Sequence, residues 1–507
     1  MLESEKVSCR TRGAEPRRAR LAIAFALMSW LITGPGVLAC RTPTDAAAPA
    51  IADDPTLRAD PARSPGRTTP AAPGRSDHEA GSPVLRVGTS GDYPPFSDWP
   101  KGQAEPRGFS IDVARAFARS QRAVIEWVRF EWPGLERDLV AGRFDLVLSG
   151  VTVRPDRSIT GRFALPLTSS GLVVLVPEHS AMRWSSDLDR PSTRLAVNAG
   201  GHLERTIRRL LPEARIEPVP DNRRVLDRLP PAGHGAAIGG TVVDGVVTDS
   251  IEAPVWLARR PDLRPIGPLT HDLKAAWLPA TADGEARARA LDAWLLAAER
   301  EGLLDRMRAA HGLPDAQTAR PLAALLSALD ERLSLMERVA HAKWLAGLPI
   351  EDAPREDRVL EAARAATHEA ATRAGLPALD PVAVDAFFRA QIEAAKWIQH
   401  RALGRAARLE PTPDLERDEG RIDLERRIRP ALIFLGERLA RLLVATAVAG
   451  GDPPDDAAVE AALARHALPQ PLLHDIAESL RELLRVEARA ARPPRPRPEA
   501  ADRAASA

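Results

Sequence analysis

FDLVLSGVTVRPDR, the stretch from Phe144 to Arg157, indicates the fold of the first half of the chain. Its first part, Phe144-Asp-Leu-Val-Leu, is a strand-like run. Helical periods at Ile111–Ser120 and Glu285–Ala310 alternate with further strand-like runs, which begin at Leu85, Leu172 and Arg194. This alternation predicts an α/β domain with mainly parallel strands over residues 83–315.

After Thr318 the strand-like runs stop and long helical periods take over. Leucines at 322, 325, 326, 329 and 333 repeat at the spacing of one helix face. The predicted helices are Pro321–Ala346, Glu356–Ala374, Pro381–Ala407, Asp423–Ala449 and a shorter pair up to about Ala490. The sequence therefore predicts a multidomain chain, in which an all-α domain at 316–490 follows the α/β domain.

Composition limits the function classes. A chain of 507 residues is too long for one core, and a net charge of +1 gives no argument for nucleic-acid binding. The two cysteines, Cys9 and Cys40, lie at the N-terminus, and the 11 histidines show no ligand spacing. We therefore expect no metal site, no cofactor and no disulfide in the folded part.

The first 40 residues have the pattern of an export signal. Arginines at 17, 18 and 20 precede an apolar run from Leu21 to about Thr33, and Val37-Leu-Ala-Cys40 resembles a lipoprotein box. Ordinary cleavage of a signal peptide at 1–39 and lipidation of Cys40 both remain open, and the Gly-Pro-Gly that follows the run disfavours a membrane anchor helix. The export signal predicts a periplasmic protein. Composition predicts a disordered linker at 40–82 and a disordered tail at 491–507.

The helical half carries a distinctive string, AKWLAGLPIEDAPR, from Ala342 to Arg355. Arg332 and Lys343 are eleven residues apart, about three helical turns, so they lie on one side of a helix. From Leu322 to Ala449 the pattern resembles the exported gamma class of all-helical chorismate mutases. That resemblance also suggests a homodimer through the helical half.

The resemblance implies a role for five side chains. Arg332, Arg355 and Arg429 would bind the two carboxylates of chorismate, while Lys343 and Gln399 would donate hydrogen bonds to its ether oxygen. The rearrangement to prephenate needs no nucleophile or proton transfer, so an enzyme helps by holding a compact conformer and stabilising charge on that oxygen. The chain departs from the family at two positions, where Ala395 stands in place of a hydroxyl residue and Val359 in place of a glutamine.

The α/β half resembles periplasmic binding proteins for polar amino acids, in which two lobes close around a small ligand. The resemblance rests on Gly91-Asp-Tyr-Pro-Pro-Phe and on the opening stretch that ends at Arg157. Within that family the closer match, over about Leu85 to Leu313, is to cyclohexadienyl (prephenate/arogenate) dehydratase. Its strings are Trp132-Pro, Val197-Asn-Ala-Gly-Gly, Pro220-Asp-Asn and Thr248-Asp-Ser-Ile-Glu252.

By this resemblance Glu252 is the general acid of a dehydratase. Hydroxide leaves prephenate easily only if it is protonated, and a carboxylic acid kept neutral by burial can supply the proton. The chain departs from the dehydratases at Leu172, where they carry a lysine, and at Leu203 beside the glycine loop. The substrate-binding residues implied are Asp92, Tyr93, Trp132, Ser149, Thr152, Arg157, Asn198, Gly201, His202 and Asp249.

Three interpretations follow from these patterns. The first is a bifunctional exported enzyme that turns chorismate into prephenate and then prephenate or arogenate into phenylpyruvate or phenylalanine. The second is a chorismate mutase fused to a non-catalytic domain that binds an amino acid or aromatic acid. In the third, the helical half serves only for dimerisation, against which the matched set of cations argues.

Overall fold

The computed structural model describes residues 83–231, 243–314, 318–346, 348–406, 424–450 and 453–490. The first lobe is built on a five-stranded sheet with the order β4-β1-β5-β12-β6. Helix α1 (Phe109–Ser120) contacts β4 and β5, and α6 (Ala282–Arg300) contacts β6 and β12. The strands are β1 (Val84–Thr89), β4 (Val124–Arg129), β5 (Leu146–Thr152), β6 (Gly161–Ser170) and β12 (Asp272–Pro279).

The second lobe is a five-stranded sheet with the order β11-β7-β10-β8-β9. Alternate residues of β7 face opposite sides: Val173 and Leu175 pack into one apolar cluster, and Leu172 and Val174 pack into another. The sheet is thus buried on both faces. Its strands are β7 (Leu172–Pro177), β8 (Arg194–Asn198), β9 (Arg215–Val219), β10 (Gly245–Asp249) and β11 (Leu263–Ile266).

The two-lobe α/β architecture is confirmed, but the prediction of mainly parallel strands is wrong. Strand β12 runs antiparallel to β5 and β6, and β7 runs antiparallel to β10 and β11. The remaining pairs, β1 with β4 and β5 and β8 with β9 and β10, are parallel. The antiparallel strands flank the two passages between the lobes, near Gly171 and Thr270, where no helical crossover sets the strand direction.

All the regular secondary structure described after β12 is helical, which confirms the prediction for the second half. The predicted helix Pro321–Ala346 is divided near Leu335, whose backbone stays in the helical region, so the two pieces nearly continue one another. The helices are α7 (Leu303–Ala310), α8 (Pro321–Ser334), α9 (Met336–Leu345), α10 (Ala353–Arg373), α11 (Pro381–Ala406), α12 (Arg429–Ala449), α13 (Asp456–Leu463) and α14 (Gln470–Ala490). One turn of π-helix, Leu424–Ile428, precedes α12.

The first lobe and the helical half share one apolar core. Leu291 and Leu295 of α6 belong to the same buried cluster as Leu325 and Leu329 of α8. The second lobe, by contrast, has two clusters of its own. Because a close-packed interior resists deformation, we expect the first lobe and the helical half to behave as one body, with the second lobe free to open.

Buried charges also join the first lobe to the helical half. The guanidinium of Arg438 donates to Asp292 at 3.0 Å, to Glu331 at 3.3 Å and to the carbonyl oxygen of Phe163. Glu331 in turn accepts from the hydroxyl of Ser158 at 2.8 Å. Burial raises the pKa of Asp292 and of Glu331, against the opposing effect of Arg438. Arg438 is therefore the cation that offsets the cost of burying two carboxylates at this interface.

Replacing Arg438 with methionine is expected to lower the free energy of unfolding by about 3–5 kcal/mol, because two buried carboxylates lose their common counter-charge. Urea denaturation followed by circular dichroism measures the change. Arg364→Met is the matched control, since Arg364 makes an exposed ion pair with Asp385 and should matter by less than about 1 kcal/mol. Equal losses in the two variants would contradict this account of the interface.

The predictions made for residues 1–82 and 491–507 lie outside the described residues, so the signal peptide, lipidation of Cys40, the linker and the tail stay predictions. Within the described part, no helix is both long enough and apolar enough to cross a membrane. The same part contains no cluster of histidine, cysteine, aspartate or glutamate side chains that could hold a metal ion.

Candidate active sites

Glu252 lies in the turn between β10 and helix α5 (Ala253–Arg259), on the second lobe. Its side chain is buried, and both carboxyl oxygens are engaged. Oε1 accepts from the amide of Asn222 at 2.8 Å, and Oε2 is 2.6 Å from the hydroxyl of Thr248. Backbone amides of this turn donate to Asp249 at 2.9 Å, which fixes the turn and hence the direction of the carboxyl group.

Burial raises the pKa of Glu252 to about 8, and the nearby carboxylate of Asp249 adds to the effect. The hydrogen bonds from Thr248 and Asn222 act in the opposite direction and do not compensate for the loss of water. Near neutral pH the side chain is therefore mainly a neutral acid. A buried carboxylic acid that opens onto a cleft has the property that a general acid needs.

Lys274, on β12 of the first lobe, places an ammonium group at the same cleft as Glu252. Its Nζ donates to the hydroxyl of Thr152 at 2.9 Å and to Tyr93 at 3.2 Å, and it lies 3.2 Å from the carboxylate of Asp249. The hydroxyl of Tyr93 also donates to Asp249. Asp249 belongs to the second lobe, whereas Tyr93 and Lys274 belong to the first. These contacts therefore join the two lobes across the cleft by a hydrogen bond and an ion pair.

A cavity of about 50 Å³ lies between the two lobes. Tyr93 and Trp132 form an aromatic wall with ring centroids 5.9 Å apart and edge to face. The buried side chain of Arg157 adds a guanidinium group to the cavity wall. Burial, together with the nearby charge of Arg154, lowers the pKa of Arg157 to about 9. Such an arginine near a closed cavity favours an anionic ligand. The other lining residues include Gly150, Thr152, Asn198, Gly201, His202, Leu203, Asn222, Glu252 and Lys274.

Three of the predicted binding residues lie behind the cavity wall. Asp92 accepts from the indole of Trp132 at 3.1 Å, and Ser149 is held by the hydroxyls of Ser90 and Ser97. Asp249 is shielded by its bonds to Tyr93 and Lys274. In the structure Asp92 and Asp249 contact residues of the wall, and none of the three side chains lines the cavity itself. The structure places the remaining predicted residues, Tyr93, Trp132, Thr152, Arg157, Asn198, Gly201, His202 and Glu252, on the wall itself.

The two departures from the dehydratase pattern have different outcomes. Leu172 is fully buried in the apolar core of the second lobe and does not line the cavity. Leu203 does line it, so it adds an apolar contact. Sequence reasoning did not identify Lys274, although a lone lysine in the apolar run DLKAAWLP was a detectable signal. Asn222 was quoted within a matching string but was not assigned to the site.

The lobes are in contact around this cavity. Arg223 of the second lobe donates to the carbonyl oxygen of Gly91 at 2.6 Å, and Asn222 donates to that of Asp92 at 3.3 Å. His202 lies 3.1 Å from Asp272, at the start of β12. Burial lowers the pKa of His202, although Asp272 opposes the shift. The arrangement is that of closed lobes, and a ligand the size of an aromatic acid requires them to open.

A second cavity, of about 740 Å³, lies within the helical half. It brings together the five side chains that the sequence singled out, although they come from five different helices. Arg332 is on α8, Lys343 on α9, Arg355 in the first turn of α10 and Gln399 on α11. Arg429 begins α12. Val359 and Ala395, the two departures from the mutase pattern, border the same cavity.

Within the described residues, three of these cations, Arg332, Lys343 and Arg355, have no ion pair with a carboxylate. Arg332 donates at 3.4 Å to the carbonyl oxygen of Leu432, and Lys343 donates at 2.7 Å to that of Ile350. Burial and the nearby Arg355 lower the pKa of Arg332 to about 10. Burial also lowers the pKa of Lys343. Unpaired cations that repel one another around a cavity favour a ligand with more than one negative charge.

Gln399 provides the neutral polar group of this cavity. Its side chain is buried, and its amide nitrogen donates at 3.1 Å to the carbonyl oxygen of Ala395 on its own helix. The amide oxygen is buried without a hydrogen-bond partner among the described residues. The side chain is therefore incompletely satisfied, and a polar ligand atom would complete it.

Comparison with known proteins identifies the family. Residues 85–370 match the family described as bacterial extracellular solute-binding proteins, family 3. The chain is similar to the cyclohexadienyl dehydratase of Pseudomonas aeruginosa, with 34% identity over 248 residues that make up 47% of this chain and 86% of that protein. It is also similar to a probable histidine-binding protein of Neisseria gonorrhoeae, with 30% identity over 35% of this chain and 63% of that protein.

Among solved structures, the ancestral amino acid-binding protein AncCDT-1, a precursor of cyclohexadienyl dehydratase, is similar. It shows 29% identity and a TM-score of 0.40, over 45% of this chain and 95% of that one. The matched family spans more than half of the chain, and the Pseudomonas relative is covered over most of its own length. The chain therefore belongs to the bacterial extracellular solute-binding proteins of family 3.

Proposed function

We propose that the protein is a bifunctional exported enzyme, a chorismate mutase joined to a prephenate or arogenate dehydratase. The observation that carries the dehydratase part is Glu252, a buried carboxylic acid at a cavity that also holds Arg157 and Lys274. The mutase part rests on the meeting of Arg332, Lys343 and three further predicted side chains around one cavity.

In the helical cavity, the arginines would hold the two carboxylates of chorismate and keep its side chain folded over the ring. The C–O ether bond then breaks while a C–C bond forms to the ring, and negative charge builds on the ether oxygen. Lys343 and Gln399 would donate to that oxygen. No proton is transferred, so no general acid or base is required. We expect the cations and Gln399 to supply most of the rate enhancement.

In the cleft between the lobes, Arg157 and the backbone near Asn198 would hold the carboxylates of prephenate. The ring carboxylate leaves as carbon dioxide, and its bonding electrons move into the ring. Hydroxide is expelled from the opposite ring carbon and takes the proton of Glu252, so that water leaves. The product is the aromatic phenylpyruvate. Lys274 would provide a second cation in this cleft.

The two reactions are consecutive, which supports assigning both to one chain. The product of the helical half is the substrate of the cleft, and fusion raises the local concentration of prephenate near the second site. The export signal predicted at 1–39 and membership in a family of extracellular proteins support a periplasmic location for both proposed reactions. A homodimer through the helical half and lipidation of Cys40 belong to the same proposal.

A direct test supplies the purified full-length protein with chorismate and, separately, with prephenate. We expect both substrates to be consumed, and the products to be prephenate and phenylpyruvate, identified by chromatography with ultraviolet detection. Untouched chorismate would remove the mutase from the proposal, and untouched prephenate, with arogenate supplied in a third reaction also untouched, would remove the dehydratase. The two parts are therefore tested independently.

The alternative function is a mutase fused to a domain that binds an amino acid or an aromatic acid without changing it. It is favoured by family membership and by similarity to a probable histidine-binding protein. The buried acid argues for catalysis, since a site that only binds an amino acid would gain more from an ionised carboxylate, which pairs with the ligand's ammonium group. Tight binding of prephenate without turnover, seen by calorimetry, would favour the alternative.

The two activities should respond differently to pH. Glu252 acts in its protonated form, so kcat/KM for prephenate should be constant below neutral pH and fall as pH rises through about 8, the pKa set by burial. The mutase should change little from mildly acidic to neutral pH, because Gln399 does not titrate. Rate profiles for the separate substrates measure both. A dehydratase that stays fully active well above this pH, or a mutase that loses activity steeply toward neutrality, would contradict the assignment.

A further inference from the structure

The carboxylate of Asp249, beside the cleft between the lobes, is completely buried and fully engaged. One oxygen accepts from the backbone N–H groups of Ile251 and Glu252, each at 2.9 Å. The other accepts from the hydroxyl of Tyr93 and lies 3.2 Å from the ammonium group of Lys274. The negative charge of Asp249 is therefore used within the protein and is not offered to a ligand.

Lys274 supplies the ammonium group that this carboxylate requires. Its side chain is only 4% exposed, yet it borders the cavity. An ammonium group has three N–H donors, and three oxygen atoms surround this one, those of Thr152 at 2.9 Å, Tyr93 at 3.2 Å and Asp249 at 3.2 Å. Lys274 thus occupies the position at Asp249 that the ammonium group of a substrate would otherwise take.

The rest of the cavity wall offers no ionised carboxylate. Among the described residues that line it, Glu252 alone has a carboxyl group, and burial keeps that group mainly neutral near pH 7. An ammonium group beside Glu252 would favour the ionised form, which cannot protonate a leaving hydroxide. Arg157, on the same wall, donates at 3.2 Å to the carbonyl oxygen of Thr152. The wall therefore suits a ligand that carries negative charges only.

The two candidate substrates of the dehydratase differ at one group. Prephenate and arogenate share the ring, the hydroxyl and two carboxylates, but prephenate has a ketone where arogenate has an ammonium group. An ammonium group that enters a closed cleft loses its hydration, and without an anionic partner it recovers little of that free energy. A ketone is hydrated far more weakly, so its burial costs less.

We propose that Lys274, by pairing with Asp249, makes the cleft selective for prephenate over arogenate, that is, for a keto acid over the corresponding amino acid. This inference rests on the proposed dehydratase and names its substrate. The value of kcat/KM of the wild-type protein for prephenate should exceed that for arogenate by about 100-fold, the effect of one ion buried without its partner.

Lys274→Ala tests the role of the ammonium group. It leaves Asp249 ionised beside a space where the ammonium group of arogenate can bind, so the preference for prephenate should fall at least about tenfold, even if both rates decrease. Lys274→Arg keeps a cation at Asp249 and should keep the preference within about threefold. Lys101→Ala, at an exposed lysine of the same lobe, is the control and should leave both rates unchanged.

The double variant Lys274→Ala/Asp249→Asn removes both charges, so it leaves no buried carboxylate unpaired and keeps the test valid if Lys274→Ala alone fails to fold. With no carboxylate to receive an ammonium group, it should again prefer prephenate by at least about tenfold. A double variant that turns over the two substrates equally, or an unchanged preference in Lys274→Ala, would overturn the role given to this pair.

Wild-type protein that turns over arogenate as well as prephenate would overturn the selectivity and leave the dehydratase standing. If neither compound is turned over, the dehydratase fails, and calorimetry with the same two compounds decides the selectivity. Prephenate should then show a binding event that Arg157→Met removes, which assigns the event to the cleft, and arogenate should show none. An arogenate event of equal affinity, also removed by Arg157→Met, would overturn the inference.

Discussion

Replacing Glu252 with glutamine is expected to lower kcat for prephenate by about 10²–10⁴-fold, the usual contribution of a general acid. Glutamine has nearly the same shape and can still meet Asn222 and Thr248, but it cannot donate a proton to the leaving hydroxide. The loss should fall mainly on kcat, since substrate carboxylates are held by other groups. Steady-state assays with prephenate and with chorismate measure the two activities side by side.

The control for Glu252→Gln is Glu217→Gln, a partly exposed glutamate on β9 of the same lobe that makes ion pairs with Arg194 and Arg228. It should leave prephenate turnover within about twofold, because surface ion pairs contribute little. Mutase activity should be unchanged in both variants. A Glu252→Gln protein that turns over prephenate as well as wild type would remove Glu252 from the chemistry, whatever its burial.

Replacing Lys343 with alanine should lower mutase kcat by about 10²–10³-fold, the cost of one hydrogen-bond donor to charge that develops in the transition state. Among the described residues, the ammonium group of Lys343 donates only to the carbonyl oxygen of Ile350, and no carboxylate lies within ion-pair distance of it. It is therefore available to the ether oxygen. Prephenate turnover in the cleft should not change.

Lys396→Ala is the matched control for Lys343→Ala. Lys396 borders the same cavity, but its ammonium group is already paired with Glu393 at 2.6 Å and with Glu356 at 3.5 Å. Its removal should change mutase kcat by less than about threefold, because a paired surface charge contributes little. Similar losses in the two variants would show that the cavity needs positive charge in general, and would contradict a specific role for Lys343.

Much of the helical site was accessible from the sequence because it rests on local spacing. Arg332 and Lys343 are three turns apart, and that relation survives the division of the helix at Leu335, where the backbone stays helical. The helix predicted from Glu356 puts Arg355 next to a helix start. In the structure Arg355 lies in the first turn of α10, where its backbone N–H donates to the N-cap residue Asp352. That Arg429 and Gln399 meet them depends on how five helices pack, which the family resemblance indicated and spacing did not.

Other features depend on long-range packing and could not be predicted in this way. Lys274 reaches Thr152 and Asp249 only because β12 returns from the second lobe beside β5. Because the chain returns from the second lobe at this point, β12 runs antiparallel to β5 and β6, and the sheet of the first lobe contains both parallel and antiparallel pairs. The buried contact of Arg438 with Asp292 joins residues that are far apart in the chain, and nothing local marks either of them.

The central claim is that one chain carries out two consecutive reactions, and a single time course from chorismate tests it most directly. Wild-type protein near neutral pH is supplied with chorismate alone, and chorismate, prephenate and phenylpyruvate are followed together by chromatography. The account predicts that chorismate disappears, that prephenate rises only transiently and that phenylpyruvate accumulates to match the chorismate consumed. Prephenate that accumulates to the end with no phenylpyruvate, or chorismate that stays unchanged, would contradict it.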